Sequence, residues 1–387
     1  METTYDLLLK NGLVIDPSQG INKVMDVAIT GEKVSLLASH IDSAQARHVF
    51  NVMGKIVTPG LIDSHVHCYH KMSEGSVSPD RAGVYNGVTT VVDVTGGPGT
   101  LMGFRKCIAE PARTNVYCIL NAALMGLVGQ PSADVGQWSE YRNWNDIVPP
   151  EFLLSSIREN RDMVLGVKFR AFGEFVKKEG IEPIKYVKKI ALEAGLPFVV
   201  HIGSLQGPLP EELTPQLLKL LGKGDILYHL YTAKPGRPIE PGKPIMKELR
   251  EAKERGVHFD MSHGWFGFSF ETARYGIAQG ILPDIISSDL AMPNVFGPVY
   301  GLCETMSKMM AVGLTLEQVV TMSTINPAQA LQIADRHGSL QVGRVADISI
   351  LELAKTKHVF VDSYGATLEG NEWLVPIMTI RSGKGVA

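Results

Sequence analysis

Gly60-Leu61-Ile62-Asp63-Ser64-His65-Val66-His67-Cys68 is a short apolar run that ends in side chains able to bind metal. Successive residues of a strand point to opposite faces, so alternate residues share one. His65 and His67 therefore look the same way, with Asp63 behind them. Two imidazoles so placed, about 7 Å apart along the backbone, can ligate one ion. Alone, a His-x-His is a weak signal, and an incidental pair is the blander explanation.

Seven further strand-like runs follow: TTVVDVTGG, NVYCILNAAL, VLGVKFRA, PFVVHIGS, DILYHLYT, HFDMSHGW and DIISSDLA. Helical stretches such as IEPIKYVKKIALEAG and KPIMKELREAKERG lie between most of them. The second of these stops at Gly256, a usual helix terminator. Eight such runs alternating with helices predict a parallel α/β fold, a (β/α)8 TIM-like barrel over residues 58–345. No GxGxxG follows a strand and no GxxxxGK[ST] occurs, which disfavours an open nucleotide-binding fold. Residues 1–57 and 346–387 read as β-rich ends. DLLLKNGLVID carries Asn11-Gly12, a hairpin signal, and a second turn is expected at Gly31. ADISILEL, HVFVDSYG and WLVPIMTIRS close the chain. The two ends are expected to pair into a small β-sandwich domain.

Composition sets the class. The 387 residues carry Lys+Arg 37 against Asp+Glu 40, a net charge of −3, with 45% hydrophobic residues. That is ordinary for a globular protein and gives no electrostatic reason to bind nucleic acid or an anionic membrane. No apolar run reaches bilayer length. The N-terminus lacks a basic-then-apolar signal pattern, so a cytoplasmic location is expected. Cys68, Cys107, Cys118 and Cys303 are scattered and form no CxxC. They predict neither a disulfide framework nor a cysteine zinc site. Cys68, next to the histidine pair, is the one expected near the site.

The His-x-His gains weight from the other strands. His201 ends the fifth run, His229 the sixth and Asp289 the eighth. Each interrupts an apolar stretch near its C-terminal end, where barrel active sites are built. Burying such groups is costly unless they are paired or metal-bound. Lys168 sits between apolar residues of the fourth run. A buried ammonium loses its proton more easily. The neutral amine can then take up carbon dioxide as a carbamate, a two-oxygen anion that two ions could share. The alternative is a lysine whose head reaches water or an acid.

Together these positions resemble the amidohydrolase superfamily, in its binuclear-zinc branch near the dihydroorotase-like and deacetylase-like enzymes. Val57-Thr58-Pro59-Gly60-Leu61-Ile62-Asp63 looks like the family's lead-in. Asn326-Pro327-Ala328, Gly338, Gly343 and Ala346-Asp347 resemble its return to the small β domain. The resemblance spans nearly the whole chain. It implies two Zn2+ or similar divalent ions. His65, His67 and Asp289 would hold the more buried ion, and His201 and His229 the more exposed one. N6-carboxylated Lys168 and a hydroxide would bridge them. Asp289 would also be catalytic, shuttling the water's proton to the leaving group. Mononuclear deaminases of the superfamily usually have a glutamate three residues after the strand-five histidine, where this chain has Ser204. Dihydroorotases usually have an arginine soon after the His-x-His, where this chain has Cys68-Tyr69-His70.

Specificity should come from the loops after the strands. Arg170 shares strand parity with Lys168 and points to the same cavity or pairs with a structural acid. Lys234 and Arg237 lie in the strand-six loop and suit a substrate carboxylate, or form a solvated basic loop. His263 could bond substrate or a metal ligand. Tyr231, two residues after His229, is placed to assist an oxyanion, or is a core tyrosine. The expected function is zinc-dependent hydrolysis of an amide or ester bond, by deacylation of a small N-acyl or O-acyl carboxylic acid. Cyclic amide hydrolysis is the alternative. A non-catalytic scaffold is disfavoured because a retired site should have lost ligands. The expected partners are a small-molecule substrate, with carboxylate-bearing compounds in view, and further copies of the chain in a homo-oligomer. No nucleic acid or membrane partner is expected.

Overall fold

The computed structural model describes residues 4–129, 139–203 and 209–387. Strands β1 (Tyr5–Asp16), β2 (Ile21–Thr30), β3 (Lys33–Ala38), β4 (Ala46–Asn51) and β5 (Ile56–Pro59) come first. Seven parallel strands follow: β6 (Leu61–Val66), β7 (Val88–Asp93), β8 (Asn115–Asn121), β9 (Val164–Arg170), β10 (Phe198–His201), β11 (Ile226–Tyr228) and β12 (His258–Phe259). The chain ends in β13 (Ile348–Ala354), β14 (His358–Val361), β15 (Thr367–Gly370), β16 (Trp373–Arg381) and β17 (Lys384–Gly385).

β6 to β12 hydrogen-bond in chain order, and the run expected as an eighth strand closes the circle. It does so through two parallel bridges, Asp260↔Ile285 and Val66↔Leu290. The amides of Met261 and His263 bond to the carbonyls of Ile285 and Ser287, and the Asp289 amide bonds to the His65 carbonyl. A continuous strand is prevented because the Asp63 carboxylate takes the Ser288 amide and Asp289 turns left-handed (φ 50°). Cross-strand register puts Val199 beside Lys168 on one side and Ile226 on the other. Ile62, Val92, Ile119, Val199, Ile226 and Ile285 form one apolar cluster with Leu331 and Ile333. The curled sheet is therefore filled from below, and the metal-binding types of side chain lie toward the strands' C-terminal ends. Helices such as Glu182–Glu193 and Lys247–Glu254 pack outside. The latter stops just before Gly256, which is left-handed (φ 85°). Among the described residues no helix is long and apolar enough to cross a membrane.

Both chain ends meet in a second, mixed sheet of order β17-β16-β13-β5-β1-β2-β3, with β4 on β1. Where the sequence predicts a sandwich, the structure has one hydrogen-bonded sheet of eight strands, seven along the path and β4 beside β1. β1 is long enough to pair with β4 along its first half and with β5 along its second. Asn11-Gly12 does not turn a hairpin. It makes a bulge within β1, where the register against β2 shifts between Leu9 and Gly12. Asn11 takes φ 63°, and its amide donates to the buried Asp26 carboxylate at 2.8 Å. Both halves of β1 find partners on the same β2, which holds the strand straight through. The expected turn at Gly31 does form, linking β2 to β3.

The two sheets are tied by Ser349 of β13. Its hydroxyl accepts from the Leu61 amide (3.0 Å) and donates to the Gly87 carbonyl (2.6 Å). β14 and β15 form a separate hairpin whose turn reaches the barrel mouth. There the Ser363 amide donates to the Phe268 carbonyl (3.0 Å) and the Tyr364 hydroxyl donates to the Phe266 carbonyl (2.6 Å). Ser349→Ala should strand a buried amide and lower stability by about 1–3 kcal/mol. A chemical-denaturation midpoint unchanged from the parent would show that the tie carries no load.

Candidate metal centre

The residues singled out at the strand ends converge. One oxygen of Asp289 lies 3.2 Å from His65 Nε2 and 3.0 Å from His67 Nε2; its other oxygen is 3.9 Å from His229 Nε2. His65, His67 and Asp289 offer ligand atoms that all lie within 4.8 Å of one another. His67, Lys168, His201, His229 and Asp289 line one cavity, and His65 is fully buried beneath it. Arg170, Leu127, Trp265, Phe266 and Pro293 share that cavity.

Local backbone explains the placement. His229, Ser262 and Asp289 all have positive φ (64°, 36° and 50°) just past their strands. Such conformations cost energy in non-glycine residues and gather at functional sites. Each turns a strand end over the mouth. The left-handed step at His229 also decides between the two readings of Tyr231 in favour of the core tyrosine. Strand parity ends there, so Tyr231 swings into the core, where its hydroxyl donates to the Ile281 carbonyl (2.8 Å). Glycines make room for the ligands. A Cβ on Gly264 would lie 2.1 Å from Asp289 Oδ2, and one on Gly267 would lie 2.0 Å from His229 Nδ1.

Burial governs the ionisation. It lowers the Lys168 pKa to about 8, with Arg170 adding to the effect, and lowers that of His229 to about 4. His65 is also held well below its ordinary value, first by burial and then by Lys168. Burial alone would raise the Asp289 pKa, but the hydrogen bond and charge of His67 hold it below the usual carboxylate range. The site thus presents imidazoles, those of His65, His201 and His229 kept neutral by burial, and an amine of lowered pKa around one carboxylate. Such donors suit a borderline divalent ion. His65 Nε2 supports this fit: it is buried, faces the cluster and makes no hydrogen bond among the described residues. His201 Nδ1 and His229 Nε2 face each other at 2.8 Å.

The other ring nitrogens are anchored. His229 Nδ1 lies 2.7 Å from the Ser262 carbonyl, His67 Nδ1 2.8 Å from Thr95 Oγ1 and His65 Nδ1 3.3 Å from Ser262 Oγ. Bonds of this kind orient metal-binding histidines. Asp63, behind the His-x-His, accepts from the amide and hydroxyl of Ser288, which fixes the segment bearing Asp289. Burial raises its pKa to about 7, and does the same for Asp260.

The remaining expected contacts divide. Arg170 lines the cavity and also pairs with Glu140 at 3.0 Å, so both readings of it describe real contacts. His263 is buried under the loop it begins: its Nε2 accepts from Lys308 at 2.9 Å and its Nδ1 faces the Gly264 carbonyl. It does not line the cavity. Lys234 lies behind the cavity wall, 5.8 Å from the Phe266 ring and 5.3 Å from that of Tyr364. Arg237 is held by the Ala233 carbonyl and Glu240, away from the ligands. Ser204 lies outside the described residues. Glu140, Asp260, Ser262, Asp93 and Thr95 were missed in the sequence. Asp93 and Thr95 had a signal, two polar residues of like parity at the end of the second run.

Comparison with known proteins agrees with this geometry. Residues 240–385 match the model of the amidohydrolase family. A deacetylase of Enterococcus faecalis is 32% identical over 98% of both chains. A dihydroorotase of Geobacter metallireducens is 25% identical over 95% of both. Among solved structures, an adenine deaminase superposes with a TM-score of 0.88 at 30% identity, covering 99% of each chain. A dihydroorotase superposes with a TM-score of 0.87 at 30% identity, covering 98% of this chain and 99% of its own. The chain belongs to the amidohydrolase family and is a metal-dependent hydrolase.

Gly267→Ala should force the His229 ring from its place. Metal content after dialysis is expected to fall while circular dichroism stays unchanged. Parent-like metal content would show that the loop backbone gives way instead.

Proposed function

We propose that the chain is a zinc-dependent deacylase of small N-acyl or O-acyl carboxylic acids. The observation that carries this is one cavity lined by five ligand-type side chains, Arg170 and the apolar Leu127, Trp265, Phe266 and Pro293. His65, His67 and Asp289 would hold one ion, His201 and His229 a second, and Lys168, as its N6-carboxylate, both. When bound, such ions supply Lewis-acid polarisation of a carbonyl and a water of lowered pKa. Arg170, braced by Glu140, receives the substrate carboxylate, for which a guanidinium has the matching fork. Leu127, Trp265, Phe266 and Pro293 cover the apolar part of the substrate and limit water. Asp289 takes a proton from the attacking water as its oxygen adds to the acyl carbon. It then passes that proton to the leaving nitrogen or oxygen as the C–N or C–O bond breaks.

The deacetylase relatives support this substrate class. Ring opening of a cyclic amide is the second reading, favoured by the likeness to dihydroorotases. The likeness to an adenine deaminase makes adenine a necessary control. Zinc-loaded protein should be offered N-acyl amino acids, O-acyl hydroxy acids, their uncharged esters, cyclic amides and adenine. Acyl release from the linear acids is the expected outcome, and turnover confined to rings or adenine would refute it. Arg170→Lys keeps the charge beside Glu140 but loses the fork. It should lower kcat/KM for the acids by about 10–100-fold, the cost of a charged hydrogen bond, and spare the uncharged esters. Equal losses on both would remove Arg170 from substrate recognition.

Lys168→Ala should lose most bound metal and regain it with a short carboxylic acid such as propionate. Full metal content without added acid would show that no carbamate is required.

A further inference from the structure

Asp93 and Thr95 are fully buried beside His67 and do not line the cavity. Thr95 Oγ1 lies 2.8 Å from His67 Nδ1 and donates to Asp93 Oδ1, also at 2.8 Å. The same carboxylate accepts from two main-chain amides. The amide of Cys68, the residue after His67, binds Oδ1 at 2.7 Å, and that of Thr95 binds Oδ2 at 2.8 Å. An amide N–H can only donate, so both Asp93 oxygens act as acceptors. A threonine hydroxyl has one proton. With that proton on Asp93, the hydroxyl offers His67 only lone pairs. His67 must then carry its hydrogen on Nδ1. In the neutral ring Nε2, which lies 3.0 Å from Asp289, is then the nitrogen whose lone pair a metal can take.

We propose that Asp93 and Thr95 are positioning residues, a buried relay that fixes the tautomer and ring plane of His67 so that Nε2 is presented as a metal ligand. The relay rests on His67 ligating metal. It grips that residue twice, at the ring through Thr95 and at the following amide through Asp93. Carboxylates that reach a ligating histidine commonly do so directly. Here a hydroxyl stands between, because β7 ends at Asp93 and the next inward position belongs to Thr95.

Three proteins test this: the parent, Thr95→Val, which keeps the shape and removes the hydroxyl, and Thr95→Ser, which keeps the hydroxyl. The readouts are the zinc dissociation constant by competition with a chelator and the visible spectrum of the cobalt-loaded protein. Neither requires a substrate, so inactivity toward acyl compounds does not bear on the relay. Thr95→Val should bind zinc about 10–100-fold more weakly, the usual effect of losing such a partner, with an altered cobalt spectrum. Thr95→Ser should resemble the parent, and the metal-free proteins should melt alike. Should Thr95→Val fail to fold, Thr95→Ala is read the same way. Parent-like zinc affinity and spectrum in the hydroxyl-free variant would overturn the relay, as would a parent that binds no zinc.

Discussion

The mouth of this protein is organised by one carboxylate among bases. Four imidazoles and an amine are drawn together at the strand ends, and Asp289 is the anion that His65, His67 and His229 face. Burying so many polar groups is unfavourable unless each is paired, neutral or bound. The chain meets that demand by several means. Burial discharges His65 and His229 and makes the Lys168 proton easier to lose, while His67 and its neighbours keep Asp289 ionised. The left-handed turns at His229, Ser262 and Asp289 bring the groups close enough for this balance. The sheet below matters to function mainly because it holds those turns rigid.

The strand ends were legible in the sequence, and the reason is chemical. A histidine, lysine or aspartate closing an apolar run has few innocent explanations, and such residues at the ends of five runs imply a shared destination. Positions that depend on backbone direction were not legible. Tyr231 keeps strand parity with His229 on paper, but the positive φ of His229 resets it. Asn11-Gly12 has the composition of a hairpin, yet β2 is long enough to pair with both sides of it. Glu140 could not have been assigned to Arg170, because it comes from a loop before the strand. Lys234 and Arg237 fit a carboxylate by type, but loop geometry carries them behind the Phe266 wall or away from it.

The loops that shape the cavity are not autonomous. Phe266 and Phe268 take hydrogen bonds from the turn between β14 and β15, which belongs to the chain's last fifty residues. The segment that carries Phe266 into the cavity lining is therefore braced from outside the parallel sheet. A change in that hairpin would reach the substrate-facing surface without touching a ligand.

The pairing of β5 with β13 also has a consequence in time. Synthesis runs from the N-terminus, and domains generally form as their residues emerge. β1 to β5 leave the ribosome before the parallel strands, but the antiparallel neighbour that covers β5 follows them, with Ile348–Leu351. Until then the edge of β5 is open, and open edges invite pairing with other chains. The parallel strands are thus made while the sheet that holds β5 is unfinished. For that interval the half-made sheet offers a strand edge to any neighbour that can pair with it.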